Sequence, residues 1–274
     1  MENNEYLDQI KDDISNNRIA LPVLPEIALN IRTLLYSEAV TASKIADLIR
    51  REPAIAARII KVANSAAQRG GKPISDLTQA VVRLGNSLVG TLVTGMSLVP
   101  IFQAKHPNVQ CRLRLEWEHS LHVGAIAYVL AKSIRYTEKE SSLLAGLMHD
   151  IGKLPILSRL GQIPSLATDR DLIQELVDEH HVEVGLLLLE SWHLPDKILA
   201  ATRHHHHYEP GVGSTDLLDD IIRVADHQSY RLRSDQQQPI SGPTYSAAKL
   251  NYDFEQGLSD QQTQEIGRMM IALN

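Results

Sequence analysis

Helical periodicity runs along almost the whole chain, and it leaves little room for any fold but an all-α one. Leu24, Ile27, Ala28, Ile31, Leu34 and Leu35 fall at 0, +3, +4, +7, +10 and +11, the apolar stripe of a 3.6-residue helix. Ile45, Leu48 and Ile49 mark a second helix, and Pro53 is placed to open a third through Ile55, Ile59, Ile60 and Ala63. Ser75 is expected to cap a fourth, stopped by Gly85, and Asn86 to cap a fifth running to Pro100. The segment from Gln103 to Gln110 has no apolar period and serves as the boundary. Beyond it a long helix is expected from about Arg112 to Arg135. Thr137 and Glu140 are spaced as a capping box for a helix ending at His149. Further helices are read at Asp171 to His180, Val182 to Trp192, Pro195 to His204 and Thr215 to Leu232. Ser234 to Pro243 reads as a linker and Ser259 to Leu273 as a terminal helix. No alternating strand pattern and no internal repeat interrupts the series. The domains follow: an N-terminal helical unit over 1–105, a second over 106–233, and a linker with a C-terminal helix over 234–274.

Composition agrees with this and excludes several function classes. Aromatic residues are 4% of the 274-residue chain, so the core must be aliphatic and Ala-rich, a palette suited to close helix packing. A net charge of −6 without a Lys/Arg-rich block argues against non-specific nucleic-acid binding. The single cysteine, Cys111, excludes an intramolecular disulfide and fits a reducing compartment. With neither a signal-peptide pattern nor an apolar run of membrane-spanning length, a cytoplasmic location and no membrane association are expected.

The chemistry lies in the histidines. At 100° per residue, Leu115, His119, His122, Ile126, Val129, Leu130 and Ser133 share an arc of roughly 100°, so two histidines face inward on the long helix. His149 and Asp150 end an apolar helix and are followed by Gly152 and Lys153, an arrangement that aims an imidazole nitrogen and a carboxylate oxygen at one point. Divalent first-row metals accept those two ligand types together. His181 is read near the start of a helix in which Gly185 admits close approach. His204 and His205 end another, and Asp226 sits at the edge of a face made by Leu218, Ile222 and Ala225. Ligand types on separate helices of an apolar bundle point to metal binding. His206 and His207 are expected to face solvent. Lys153 reads equally as a surface lysine after a turn and as an ammonium beside a substrate phosphate.

These residues lie within motifs that resemble the HDOD family, the HD-related output domains of bacterial signalling proteins. Leu21 to Glu26 (LPVLPE), Ile49 to Pro53 (IRREP), Arg58 to Ser65 (RIIKVANS) and Ala80 to Gly85 (AVVRLG) carry the N-terminal part. Trp117 to Val123 (WEHSLHV), Ala145 to Lys153 (AGLMHDIGK), His181 to Trp192, Leu194-Pro195, Arg203 to His205 and Ala225-Asp226 carry the rest, so the resemblance spans about 18–232. It implies an all-α helical bundle, with an HDOD-type N-terminal unit packed on an HD-phosphohydrolase-like unit. It also implies metal ligation by His119, His149, Asp150, His181, His204 or His205, and Asp226, with one or two divalent ions (Fe, Mn, Mg or Zn). Glu52 stands where family members often carry Asp, and the Ala66-Ala67 pair lacks the aromatics usual after Asn-Ser.

Two functions follow from the resemblance. One is a bacterial signal-transduction protein that meets a signalling partner through its N-terminal unit. The other is a metal-dependent phosphohydrolase acting on a phosphodiester, nucleotide or other phosphorylated small molecule, with Asp150 and Lys153 as its catalytic residues. The segment His206-His207-Tyr208-Glu209-Pro210 carries no GYP-type motif, which argues against the cyclic-di-GMP hydrolysing branch.

Overall fold

A computed structural model describes residues 10, 12, 13, 16, 18–67, 72–209, 216–232 and 242–273, and among them there is no strand. The N-terminal helices are α1 (Glu26–Leu35), α2 (Ala42–Ile49), α3 (Pro53–Ala67), α4 (Leu77–Leu84) and α5 (Asn86–Leu98), followed by a 3-10 turn at Val99–Ile101. Then come α6 (Pro107–Ser133), α7 (Lys139–Met148), α8 (Lys153–Leu160), α9 (Arg170–Ser191), α10 (Asp196–His204), α11 (Leu217–Leu232), α12 (Thr244–Lys249) and α13 (Asp260–Leu273). The all-α class read from periodicity is the observed one. No single helix among the described residues is long and apolar enough to cross a membrane.

The helix ends differ from the sequence reading for local reasons. Asp76, not Ser75, caps α4, its carboxylate accepting from the Gln79 amide at 2.9 Å. Gly85 rather than Asn86 holds the cap position of α5. The box expected from Thr137 and Glu140 does not form, because the cap position of α7 falls on Glu138, whose side chain makes no capping bond. The two helices expected on either side of His181 are one, α9, since neither Gly nor Pro lies between His180 and Val182 to stop the run. Two short helices went unread. In α8 the third residue is Pro155, which the first turn of a helix tolerates because that amide has no intrahelical acceptor. α12 falls where the sequence changes to polar residues, and most of the expected linker lies outside the described residues.

Helix α6 runs through the middle, against α7, α11, α13 and α8. Its contact with α7 is backbone-close, since a Cβ on Gly146 would lie 2.5 Å from the Gly124 Cα. α5 packs on α7, with Leu147 against Gly95, so the N-terminal helices share apolar contacts with the second half. Arg32 on α1 adds a polar tie, donating from Nη1 to the Trp192 carbonyl at 2.6 Å and from Nη2 to the His193 carbonyl at 2.7 Å. Those carbonyls end α9 and have no helical partner, which suits a guanidinium. Arg32→Ala is expected to cost roughly 1–3 kcal/mol of stability in urea denaturation, the range for hydrogen bonds from a charged group.

Candidate metal centre

Helices α6, α9 and α11 each turn one ligand inward, and the residues that follow α7 and α10 supply the others. His119 comes from the buried face of α6, His149 from the C-terminal cap position of α7, and Asp150 follows it directly. His181 sits in the middle of α9, on the same face as Val177, Val184 and Leu188. His205 follows the end of α10, and Asp226 lies within α11 at 1% exposure.

Their atoms fall into two groups that meet at Asp150. His119, His149 and Asp226 form the first, with Asp226 Oδ1 at 3.0 Å from His119 Nε2 and 3.6 Å from His149 Nε2. Asp150 Oδ2 faces the same two imidazoles, at 3.6 and 3.3 Å. Its other oxygen, Oδ1, faces the second group, at 3.5 Å from His181 Nε2 and 3.4 Å from His205 Nε2. His206 completes that group, with its Nε2 3.2 Å from that of His181.

The imidazoles are oriented from behind. Nδ1 of His149 lies 2.8 Å from the Gly146 carbonyl, that of His181 2.7 Å from Val177, and that of His205 2.6 Å from Thr202. A carbonyl only accepts, so each Nδ1 carries a proton, and Nε2 is the ring nitrogen turned to the centre. His119 Nδ1 is 3.3 Å from the Ser229 hydroxyl, which also meets His122 Nδ1 at 3.0 Å. In front, His119 Nε2, His149 Nε2, Asp150 Oδ1 and Asp226 Oδ1 are buried without a hydrogen bond. Burying four such atoms is costly unless a cation satisfies them, and this nitrogen and carboxylate set fits a divalent first-row metal.

Electrostatics point the same way. Burial opposes ionisation of Asp150 and Asp226, yet Lys153 and His149 beside the first, and His119 and His149 beside the second, hold both well below the usual carboxylate range. His149 is the exception: burial would strip its proton, but Asp150 and Asp226 outweigh it and raise that group to about 10, so a metal ion would have to displace the proton on Nε2. Burial, reinforced by His205, pushes His206 down to about 3.

The structure changes the sequence-derived ligand set at one place. His204 is turned away, its Nδ1 2.8 Å from Asp219 Oδ2, where it ties α10 to α11. Its place is taken by His206, which is exposed as expected but whose Nε2 lies 3.2 Å from that of His181. His207 is exposed. Lys153 is no surface residue: at 7% exposure its ammonium lies 2.5 Å from Asp150 Oδ2 and 3.1 Å from Glu116 Oε2. Glu116 and Tyr230 were not read as site residues, although each stands on a helix already credited with a ligand, at i−3 from His119 and i+4 from Asp226. A cavity of about 370 Å³ opens onto the centre, walled by His119, His181, His206, Lys153, Glu116 and Tyr230.

Comparison with known proteins bears on this arrangement. The model of the HDOD domain family matches residues 21–208. An uncharacterized protein of Treponema pallidum is 23% identical over 257 residues, 83% of this chain, and the chain spans about half (49%) of that protein's length. A ribonuclease Y of Lactobacillus acidophilus is 34% identical over 88 residues, 32% of this chain and 13% of the nuclease. Among solved structures, a protein of Shewanella amazonensis named as a candidate metal-dependent phosphohydrolase superposes with a TM-score of 0.81 over all of both chains at 24% identity, a likeness of fold.

Proposed function

The chain belongs to the HDOD family, and from that premise we propose that its His/Asp centre holds one or two divalent metal ions and hydrolyses a phosphorylated small molecule. The observation that carries this reading is the position of Asp150, buried in contact with His119, Lys153 and His181 of the cavity wall, with one oxygen toward each imidazole group. With a metal present, Asp150 would be a ligand available to either imidazole group. A divalent metal there supplies Lewis acidity and makes hydroxide available at neutral pH.

The chain's own residues do the rest. His119, His149 and Asp226 hold one position, and His181, His205 and His206 the other. Lys153 opens α8 at the cavity wall, where its ammonium donates to phosphoryl oxygens. Arg112 and Lys153 are both already paired with carboxylates, Arg112 Nε at 2.6 Å from Glu116 Oε1 and Lys153 with Asp150 and Glu116. The cavity therefore needs the added charge of the metal before a phosphate is welcome. The local similarity to a ribonuclease Y supports a phosphoester substrate class.

Metal analysis of tag-free protein, purified from metal-replete medium, should find bound divalent ion. Metal-loaded protein should then hydrolyse members of a phosphodiester and phosphomonoester panel, and His149→Ala should bring the rate to background. Metal-free protein under those conditions sinks the reading, and activity that survives His149→Ala assigns it to another site. A signal-transduction role is the second reading, favoured by apolar side chains left in water on the N-terminal unit. Val23, Tyr36 and Val82 are 82%, 78% and 69% exposed, and each is an apolar side chain that a signalling partner would cover.

A further inference from the structure

Glu116 belongs to neither ligand group, yet it is buried at 8% exposure and shared between two cations. Its Oε1 accepts from Arg112 Nε at 2.6 Å and its Oε2 from Lys153 Nζ at 3.1 Å. Arg112 is held in turn by Gln174 of α9, its Nη2 2.7 Å from that Oε1, so the Glu116 carboxylate is aimed from both sides. Lys153 is shared as well, lying 2.5 Å from Asp150 Oδ2. That oxygen also faces His119 and His149. A divalent ion held by His119, His149 and Asp226 would draw on the same oxygen, and the ammonium and the metal would then compete for it.

A buried ammonium cannot be left without a carboxylate except at large cost. On yielding Asp150 to a metal, Lys153 keeps an anionic partner only through Glu116, which it already touches. We infer that Glu116 is a positioning residue that sets how tightly the centre binds metal, by holding Lys153 when Asp150 is given over to the ion. The inference rests on the metal reading above.

It is tested by measuring Mn²⁺ affinity, through competition with a chromogenic chelator, for the full-length wild type, Glu116→Gln, Lys153→Met and the double variant. Glu116→Gln is expected to weaken Mn²⁺ binding roughly 10- to 100-fold, the scale for losing an outer-shell partner. Lys153→Met, which removes the competitor, is expected to bind Mn²⁺ at least as tightly as wild type. In the Lys153→Met background, Glu116→Gln should change affinity by no more than about threefold, because the residue acts through Lys153. Wild-type affinity in Glu116→Gln overturns the inference and leaves the metal reading standing. A loss equally large in both backgrounds also overturns it, assigning Glu116 a role independent of the lysine. A wild type that binds no Mn²⁺ overturns both. Should Glu116→Gln fail to fold, Lys153→Met decides alone: weaker binding than wild type refutes the competition, and equal or tighter binding upholds it.

Discussion

Asp150→Asn is expected to abolish metal binding at both imidazole groups together, a fall in affinity of more than about 100-fold, beyond what loss of an outer-shell partner causes. The asparagine keeps the shape of the side chain but loses the charge that faces His119 and His149 through Oδ2 and His181 and His205 through Oδ1. Asp226→Asn is the contrast. It touches only the His119 and His149 group, and should leave binding at the His181, His205 and His206 group. Metal stoichiometry measured on the two variants separates them. Equal, partial losses in both would mean that Asp150 serves one group only. Asp150→Asn also leaves the Lys153 ammonium with Glu116 alone, and breaking such a buried pair costs about 3–5 kcal/mol. The stoichiometry must therefore be read below the variant's own unfolding temperature.

Gly152→Ala is expected to be the most destabilising methyl group that can be added near the centre, with a loss of about 3 kcal/mol or more in urea denaturation. A Cβ at that position would overlap the His181 carbonyl oxygen and the Gly185 amide nitrogen, and would lie 2.8 Å from the Gly185 Cα. All three atoms are backbone of α9, so no rotamer change relieves the clash. The backbone at Gly152 is ordinary helical, with φ −67°, so the glycine serves close approach and not an unusual turn. Because the same stretch carries Asp150 and Lys153, the variant should lose metal along with stability. Gly185→Ala is the milder control, since its Cβ would come no nearer than 3.3 Å to the Gly152 nitrogen. If the two variants lose equal stability, the tight contact does not govern the site.

The fold and most of the centre were legible because they rest on local signals. Apolar spacing marked the helices, and His149-Asp150 at the end of an apolar run marked a site. The errors lie where a local rule had two candidates. Ser75 and Asp76 both suit a cap, and only the position of the first turn of α4 chooses between them. A break was assigned at His181 although nothing in the sequence stops a helix there.

His204, His205 and His206 show the limit most clearly. All three are imidazoles at the end of α10; the resemblance leaves His204 and His205 as alternatives, and the solvent-facing reading of His206, whose side chain is exposed, gives no sign that its Nε2 reaches His181. A helix turns 100° per residue, so consecutive residues point in different directions, and which of them reaches the centre depends on how α10 sits on α9 and α11. The structure turns His204 to Asp219 and brings His205 and His206 to His181. Glu116 and Lys153 depend on packing in the same way, because a carboxylate on α6 and an ammonium at the start of α8 become partners only when those helices meet. What the amino-acid sequence determined by itself was the all-α class and the chemical types of the ligands, since periodicity and residue chemistry are local properties of the chain. Which imidazoles converge, the division into two groups around Asp150 and the pairing of Lys153 with Glu116 were decided only by the tertiary structure. Convergence is a property of helix packing, and no single helix carries it.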